Sequence, residues 1–322
     1  MHQPTLHDVL AARGQVQRYL GPLPTPLRRY AGLDALIGTE VYLKHENQLP
    51  TCAFKVRGGV NLISQLSEAD RRRGVIAAST GNHGQSVAYA AQLFGVKAII
   101  GVPYDPNPGK VAAMRGFGAE VRELGASFDA ARLAVEALAQ TEGYRYIHSG
   151  DEPLLVAGVA TYTLEILEQQ PTIDTIIVPI GGGSGASGVC IVAKSINPAI
   201  QVIGVQAEAA PAAYRSWREE HPVYIPSATF AEGLATGAPF ALPQAILRTH
   251  LDDFVLVSEA ALREAMLLLM EHAHTLAEGA GAASLAAALK LRDQLVGRKV
   301  ALVVSGGNVA INQLRQVLAL PS

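Results

Sequence analysis

Lys55 stands in the stretch TCAFKVRGG, and three polar or glycine-rich turns occur further along: Ser79-Thr80-Gly81-Asn82-His83, Gly181-Gly182-Gly183-Ser184-Gly185 and Ser305-Gly306-Gly307-Asn308. Each turn follows an apolar run with strand character. The segment 53–66 reads as a helix with Thr51 as its N-cap, so Lys55 falls in the first turn, where the helix dipole disfavours a cation. Apolar Ala53, Phe54 and Val56 predict partial burial. Dipole and desolvation both lower an amine's pKa, which helps a lysine form a Schiff base. Taken alone, a lysine beside Arg57 is more often plain surface charge.

The first turn precedes a helix that begins near Gln85. A helix N-terminus presents free N–H groups and suits a carboxylate. Ser79, Thr80 and Asn82 add side-chain donors, and Asn82 can also reach a ring hydroxyl. Ordinary N-capping uses the same residue types, and a lone His83 is more often structural, but six polar or glycine residues in a row exceed what a cap needs. In the second turn, glycines let backbone N–H groups approach a phosphate. Gly183, Gly185 and Gly188 also satisfy G-x-G-x-x-G, with Glu208 at the end of the next strand. That is a dinucleotide-binding pattern, and it keeps a Rossmann-type NAD(P)-dependent oxidoreductase open. In the third turn, Ser305 offers a hydroxyl to a pyridine nitrogen, which leaves the ring a weak electron sink. Glu278, beside Gly279, invites a cofactor contact, with a helix C-cap as the plain alternative. An amine, a phosphate cradle and contacts for a flat heteroaromatic ring are the demands of pyridoxal 5'-phosphate. The dinucleotide pattern explains neither Lys55 nor Ser305.

These turns need a scaffold, and strand and helix signals alternate along the chain. Apolar runs at 75–79, 97–103, 119–124, 175–180, 201–206, 254–259 and 299–305 are separated by helical patterns at 85–95, 109–117, 127–142, 154–169, 186–196 and 259–274. This predicts an α/β protein with mostly parallel sheet and helices on both faces. In such sheets ligands bind beyond the carboxyl ends of the strands, where all three turns lie. Hydrophobic residues make up 49% of the 322 and charged residues 17%, enough for a large core. A net charge of −2 without a basic face argues against nucleic acid and anionic membrane as partners. Cys52 and Cys190 have no metal-ligand spacing, and His272 and His274 face different sides of a helix, so no metal site is expected. The first residues lack a signal-peptide pattern and no apolar stretch reaches membrane-spanning length, so a cytoplasmic location is expected.

Six stretches in order, LKHENQLPTCAFKVRGG (43–59), ASTGNHGQSVAYAA (78–91), VPIGGGSGASG (178–188), FAEGLAT (230–236), EGAGAASLAA (278–287) and VSGGNV (304–309), resemble the threonine/serine dehydratase and serine racemase family of fold-type II pyridoxal phosphate enzymes. The resemblance covers nearly the whole chain. It implies a tryptophan synthase β-like fold with two open, mostly parallel sheets flanked by helices. A large cofactor-binding domain (1–64 and 153–322) and a small mobile domain (65–152) are implied, in a homodimer. The implied reaction is β-elimination of water from a β-hydroxy amino acid, L-threonine or L-serine, giving a 2-oxo acid and ammonia. An amino-acid racemase and a dehydratase of other 3-hydroxy amino acids are the alternatives within the family. Lys55 would be the Schiff-base lysine and would remove the α-proton, with Phe54 against the ring and Asn82 on its hydroxyl. Gly181, Gly182, Gly183, Ser184 and Gly185 would hold the phosphate. Ser305, with Gly306 and Glu278 near it, would face the ring nitrogen. Ser79, Thr80, Asn82 and His83 would clasp the substrate carboxylate. Thr80 stands where racemases place a serine that reprotonates the opposite face. His148-Ser149-Gly150 stands where relatives often carry a bulky residue, which implies a larger substrate pocket.

Overall fold

Runs rich in Val, Ile and Ala, buried on both faces, form the central strands of two sheets in the computed structural model, which describes residues 2–21 and 24–319. The strands are β1 (Leu27–Arg29), β2 (Glu40–His45), β3 (Val75–Ala78), β4 (Ala98–Val102), β5 (Glu120–Glu123), β6 (Arg145–Tyr146), β7 (Thr175–Pro179), β8 (Gln201–Ala207), β9 (Asp253–Val257) and β10 (Lys299–Val304). One sheet has six strands in the order β1-β2-β10-β7-β8-β9, and the other has four in the order β5-β4-β3-β6. Every pairing is parallel except β1 with β2. This matches the fold class expected from the alternation of apolar runs and helical patterns.

The predicted strands and helices form within a few residues of their expected ends. β1, β2 and the two-residue β6 lie outside the expected strands; EVYLKH carries Glu40, Lys44 and His45 and does not read as a buried strand. Thr51 is not an N-cap. Its hydroxyl donates to the Ala53 carbonyl, and the helix begins at Lys55 after Phe54. Glu278 is likewise not a C-cap but precedes the helix Gly279–Lys290 as its N-cap.

The helix Lys55–Ser64 lies between the helices Asn82–Leu93 and Pro153–Gln169, and its glycines permit the close approach. A Cβ at Gly58 would come within 2.7 Å of the Leu155 carbonyl oxygen, and one at Gly59 within 2.3 Å of Ser86 Oγ. The Ser86 hydroxyl donates to the Lys55 carbonyl at 2.7 Å. Lys55 is therefore carried on a helix clamped between helices that follow β3 and β6 of the four-stranded sheet. The carboxyl ends of β3, β7 and β10 deliver the three turns to the same cavity.

Candidate active site

Lys55 is the first residue of its helix, and its ammonium points into a cavity lined by Ser79 to His83, Gly181 to Gly185 and Ser305. Nζ lies 3.2 Å from Ser184 Oγ and 3.4 Å from the Ser149 carbonyl oxygen, and 5.2 Å from the centroid of the Phe54 ring. No carboxylate pairs with it among the described residues. Burial lowers its pKa from 10.5 to about 8. The surface Lys55 retains is cavity wall, so the side chain is only half-buried by area while its charge is poorly solvated. The segment before it is fastened to the third turn. Phe54 N–H donates to the Ser305 carbonyl at 3.0 Å, and Ala53 bridges Gly306. Cys52 takes a left-handed φ of 51° to make this turn.

The second turn becomes the N-terminus of the helix Ser184–Ile196, which has no side-chain cap. The N–H groups of Gly182 to Ala186 have no partner among the described residues. Gly183 has φ +92°, a conformation that suits glycine. A Cβ at Gly181 would sit 2.2 Å from the Gly233 carbonyl oxygen and one at Gly182 2.1 Å from the Phe240 ring. Unpartnered N–H groups at an uncapped helix N-terminus fit a phosphate. Ser305 is buried and its hydroxyl opens on the cavity, where it suits a ring nitrogen. A Cβ at Gly306 would come 2.6 Å from Glu278 Oε1, so glycine lets the third turn lie against that carboxyl. These residues fit pyridoxal phosphate.

In the first turn, Ser79 Oγ accepts from the N–H groups of Gly81 (3.0 Å) and Gly84 (2.8 Å), which leaves its own proton for a ligand. The N–H groups of Thr80, Asn82 and His83 have no partner among the described residues. The Thr80 hydroxyl also lines the cavity without a hydrogen-bond partner among them. His83 is buried, and burial, helped by the nearby Lys55 charge, lowers its pKa to about 3. The neutral ring donates from Nε2 to the Ile147 carbonyl at 3.2 Å, so Nδ1 is bare. What His83 can offer a carboxylate is its backbone N–H. Asn82 Nδ2 donates to Glu278 Oε1 at 2.5 Å, and Asn82 Oδ1 accepts from Asn308 at 2.8 Å. Glu278 is buried, and burial raises its pKa. Asn82, Glu278 and Asn308 thus tie the first turn to the third across the two sheets.

The structure brings all the expected site residues to one cavity or its immediate wall. It also adds Lys110 and Phe128, which no stretch of the sequence marks, beside Ser149 in His148-Ser149-Gly150 and Glu232, Thr236 and Phe240 in the glycine-rich stretch FAEGLATGAPF (230–240). Gly150 does not enlarge the pocket. A Cβ there would come 2.6 Å from Phe240, whose ring fills the space and meets His148 edge to face at 4.5 Å between centroids. The dinucleotide pattern also fails. Glu208 is half-exposed, 4.0 Å from Lys290 and outside the cavity lining, while Gly188 serves helix packing, since a Cβ there would meet Ala160 at 2.7 Å.

Beneath Lys55 lies a second unanticipated group. Arg57 is fully buried and grips two carboxylates, Glu46 (Nε–Oε2 2.7 Å, Nη2–Oε1 2.9 Å) and Glu165 (Nη1–Oε1 2.7 Å, Nη2–Oε2 2.8 Å). Lys44, also buried, donates to Glu165 Oε2 at 2.7 Å and to the Thr25 carbonyl at 2.8 Å. Two cations and two anions balance in this cluster, which joins β2 and the helix Pro153–Gln169 to the Lys55 helix.

Residues 19–306 match the family described as pyridoxal-phosphate dependent enzyme. The chain is 39% identical over 315 residues to the L-threonine ammonia-lyase of Thermotoga maritima, covering 98% of this chain and 78% of that protein. It is 37% identical over 281 residues to the catabolic L-threonine dehydratase of Escherichia coli, covering 86% and 85%. The crystal structure of serine racemase from Dictyostelium discoideum superposes with a TM-score of 0.89 at 35% identity, over 96% of this chain and 99% of that one.

Proposed function

The chain belongs to the pyridoxal-phosphate dependent enzyme family, and from that premise we propose that it is an ammonia-lyase that removes water from a β-hydroxy amino acid, L-threonine or L-serine. The observation that carries this is the Lys55 ammonium, free of any carboxylate partner and depressed in pKa, set between an uncapped helix N-terminus and the open hydroxyl of Ser305. The relatives' reaction supports the same reading.

Gly181 to Gly185 would hold the phosphate, with Ser184 adding a hydroxyl. Phe54, Asn82, Glu278, Ser305 and Gly306 would line the ring's site. Bound pyridoxal phosphate withdraws electrons and so acidifies the substrate's α-proton. The protein's own residues bind, orient and move protons. The free N–H groups of Thr80, Asn82 and His83, with the Ser79 proton, take the substrate carboxylate at the dipole end of their helix. That fixes the amino acid relative to Lys55, which in its neutral form accepts the α-proton at Nζ. Ser184 Oγ and the Ser149 carbonyl steady Nζ without neutralising it by ion pairing. Thr80 presents a hydroxyl with no other task. If it delivers a proton to the face opposite Lys55, the chain also racemises its substrate, as the relationship to a serine racemase allows.

The working division is a body of 1–64 with 153–322 against a smaller mobile body, 65–152. Its support is that β3 to β6 come from one continuous stretch and form a sheet of their own. A cytoplasmic homodimer completes the reading, checked by light scattering and cell fractionation. Among the described residues, no helix is long and apolar enough to cross a membrane.

A panel of β-hydroxy amino acids assayed for 2-oxo acid, ammonia and enantiomer tests the proposal. Equal amounts of 2-oxo acid and ammonia from L-threonine or L-serine are expected, and their absence across the panel refutes it. Thr80→Ala is expected to suppress racemisation more than elimination, and an unchanged ratio removes Thr80 from that role.

A further inference from the structure

We propose that Lys110 and Glu232 set the charge selectivity of the substrate side-chain site. Together they admit a neutral β-substituent, and Glu232 excludes a second carboxylate. This rests on the lyase reading above.

Lys110 lies in the helix Pro108–Gly116, after β4, and Glu232 in the turn Glu232–Leu234 between β8 and β9, so each comes from a different sheet's half of the cavity. Lys110 Nζ donates to Glu232 Oε2 at 2.7 Å. The Lys110 side chain is 8% exposed and that of Glu232 27%, so the pair sits in the wall and not on the open surface. Asn107 Oδ1 accepts from the N–H groups of Gly109 (3.0 Å) and Lys110 (3.3 Å), which fixes the turn that launches the lysine. A Cβ at Gly81 would come 3.2 Å from Lys110 Nζ. The ammonium therefore lies over the turn proposed to hold the substrate carboxylate.

The ionisable groups of the cavity lining leave nothing for a further anion. Its cations are Lys55, assigned to the α-proton, and Lys110, already paired, while His83 is neutral. Its carboxylates are Glu232 and Glu278, the latter held by Asn82. A carboxylate on the substrate side chain thus finds no free cation in the lining and shares the cavity with the charge of Glu232, where like charges are penalised. Removing that charge leaves Lys110 as an unpaired ammonium in a poorly solvated wall, which suits such a carboxylate.

The test compares kcat/KM for L-threonine and for each diastereomer of 3-hydroxyaspartate in the cofactor-loaded enzyme. In Glu232→Gln the ratio of one hydroxyaspartate to threonine is expected to rise about tenfold or more, mainly through KM. The rise should disappear in the Lys110→Met/Glu232→Gln double variant and be absent from Glu232→Asp, which retains the charge. A ratio that stays within about twofold of wild type in a folded Glu232→Gln enzyme overturns the proposal. An equal rise in the double variant overturns it too, because the gain would not need Lys110. Wild-type enzyme that prefers 3-hydroxyaspartate to threonine also overturns it, yet leaves the lyase reading standing. Failure of the lyase reading shows separately, as no 2-oxo acid from any β-hydroxy amino acid.

Discussion

Lys55→Ala is expected to abolish turnover and the visible absorbance of lysine-bound cofactor. The expected loss in kcat/KM is at least about 10⁴-fold, since one residue is asked both to carry the cofactor and to move the α-proton. The variant should still bind pyridoxal phosphate through the Gly181 to Gly185 turn, without covalent attachment, which borohydride reduction and mass measurement would register. A Lys55→Ala protein that retained both absorbance and turnover would remove the lysine from the mechanism. The pKa of about 8 adds a pH signature. Attachment of added cofactor should speed up as pH rises through about 8, where the amine loses its proton, and then level off. Stability follows the same direction. The folded value lies below the ordinary 10.5, so holding the charged amine costs most below about 8, and the cost fades between there and 10.5. Lys55→Met should therefore be more stable to unfolding than wild type near neutral pH, both free of cofactor, by up to roughly 3 kcal/mol. The residual exposure of Lys55 to the cavity reduces that figure.

Arg57→Ala should be the most destabilising single substitution near the site. It leaves buried Glu46 with no cation beside it among the described residues, only the Thr25 hydroxyl, and buried Glu165 with Lys44 and Thr25. Breaking a buried pair in this way costs about 3–5 kcal/mol. Urea unfolding of the cofactor-free protein would show it as a lowered midpoint. Arg57→Lys should recover little, because one ammonium cannot make two bidentate contacts. Since Arg57 is two residues from Lys55 on the same helix, the surviving folded fraction should also bind cofactor less tightly. An Arg57→Ala protein with wild-type unfolding and wild-type cofactor affinity would show that the cluster neither stabilises the fold nor positions the lysine.

Arg57 also marks where reading the sequence stopped short. Beside Lys55 it looks like surface charge, and so do Lys44, Glu46 and Glu165 in their own surroundings. Lys44 and Glu165 are 121 residues apart, and no local pattern joins them. The same holds for Lys110 and Glu232, which are 122 residues apart and meet only because two sheets face one cavity. Thr51 was misjudged for a related reason. Its hydroxyl is spent on the Ala53 carbonyl, in a segment pulled toward the third turn by pairing with Ser305 and Gly306.

The sheets and the three turns were legible because their causes are short-range. A strand buried on both faces must be a continuous apolar run, and a turn that approaches a ligand closely must use glycine and small polar residues, whatever lies elsewhere in the chain. The resemblance that implies the family and its cofactor rests on such local stretches. Partnership is different. Which charges are buried, that His83 keeps a bare nitrogen, and that Phe240 takes the room beside Gly150 depend on segments brought together by folding. A charged side chain carries no local mark of whether its counter-ion will be water or a residue a hundred positions away, and desolvation makes the difference only once the chain has closed around it.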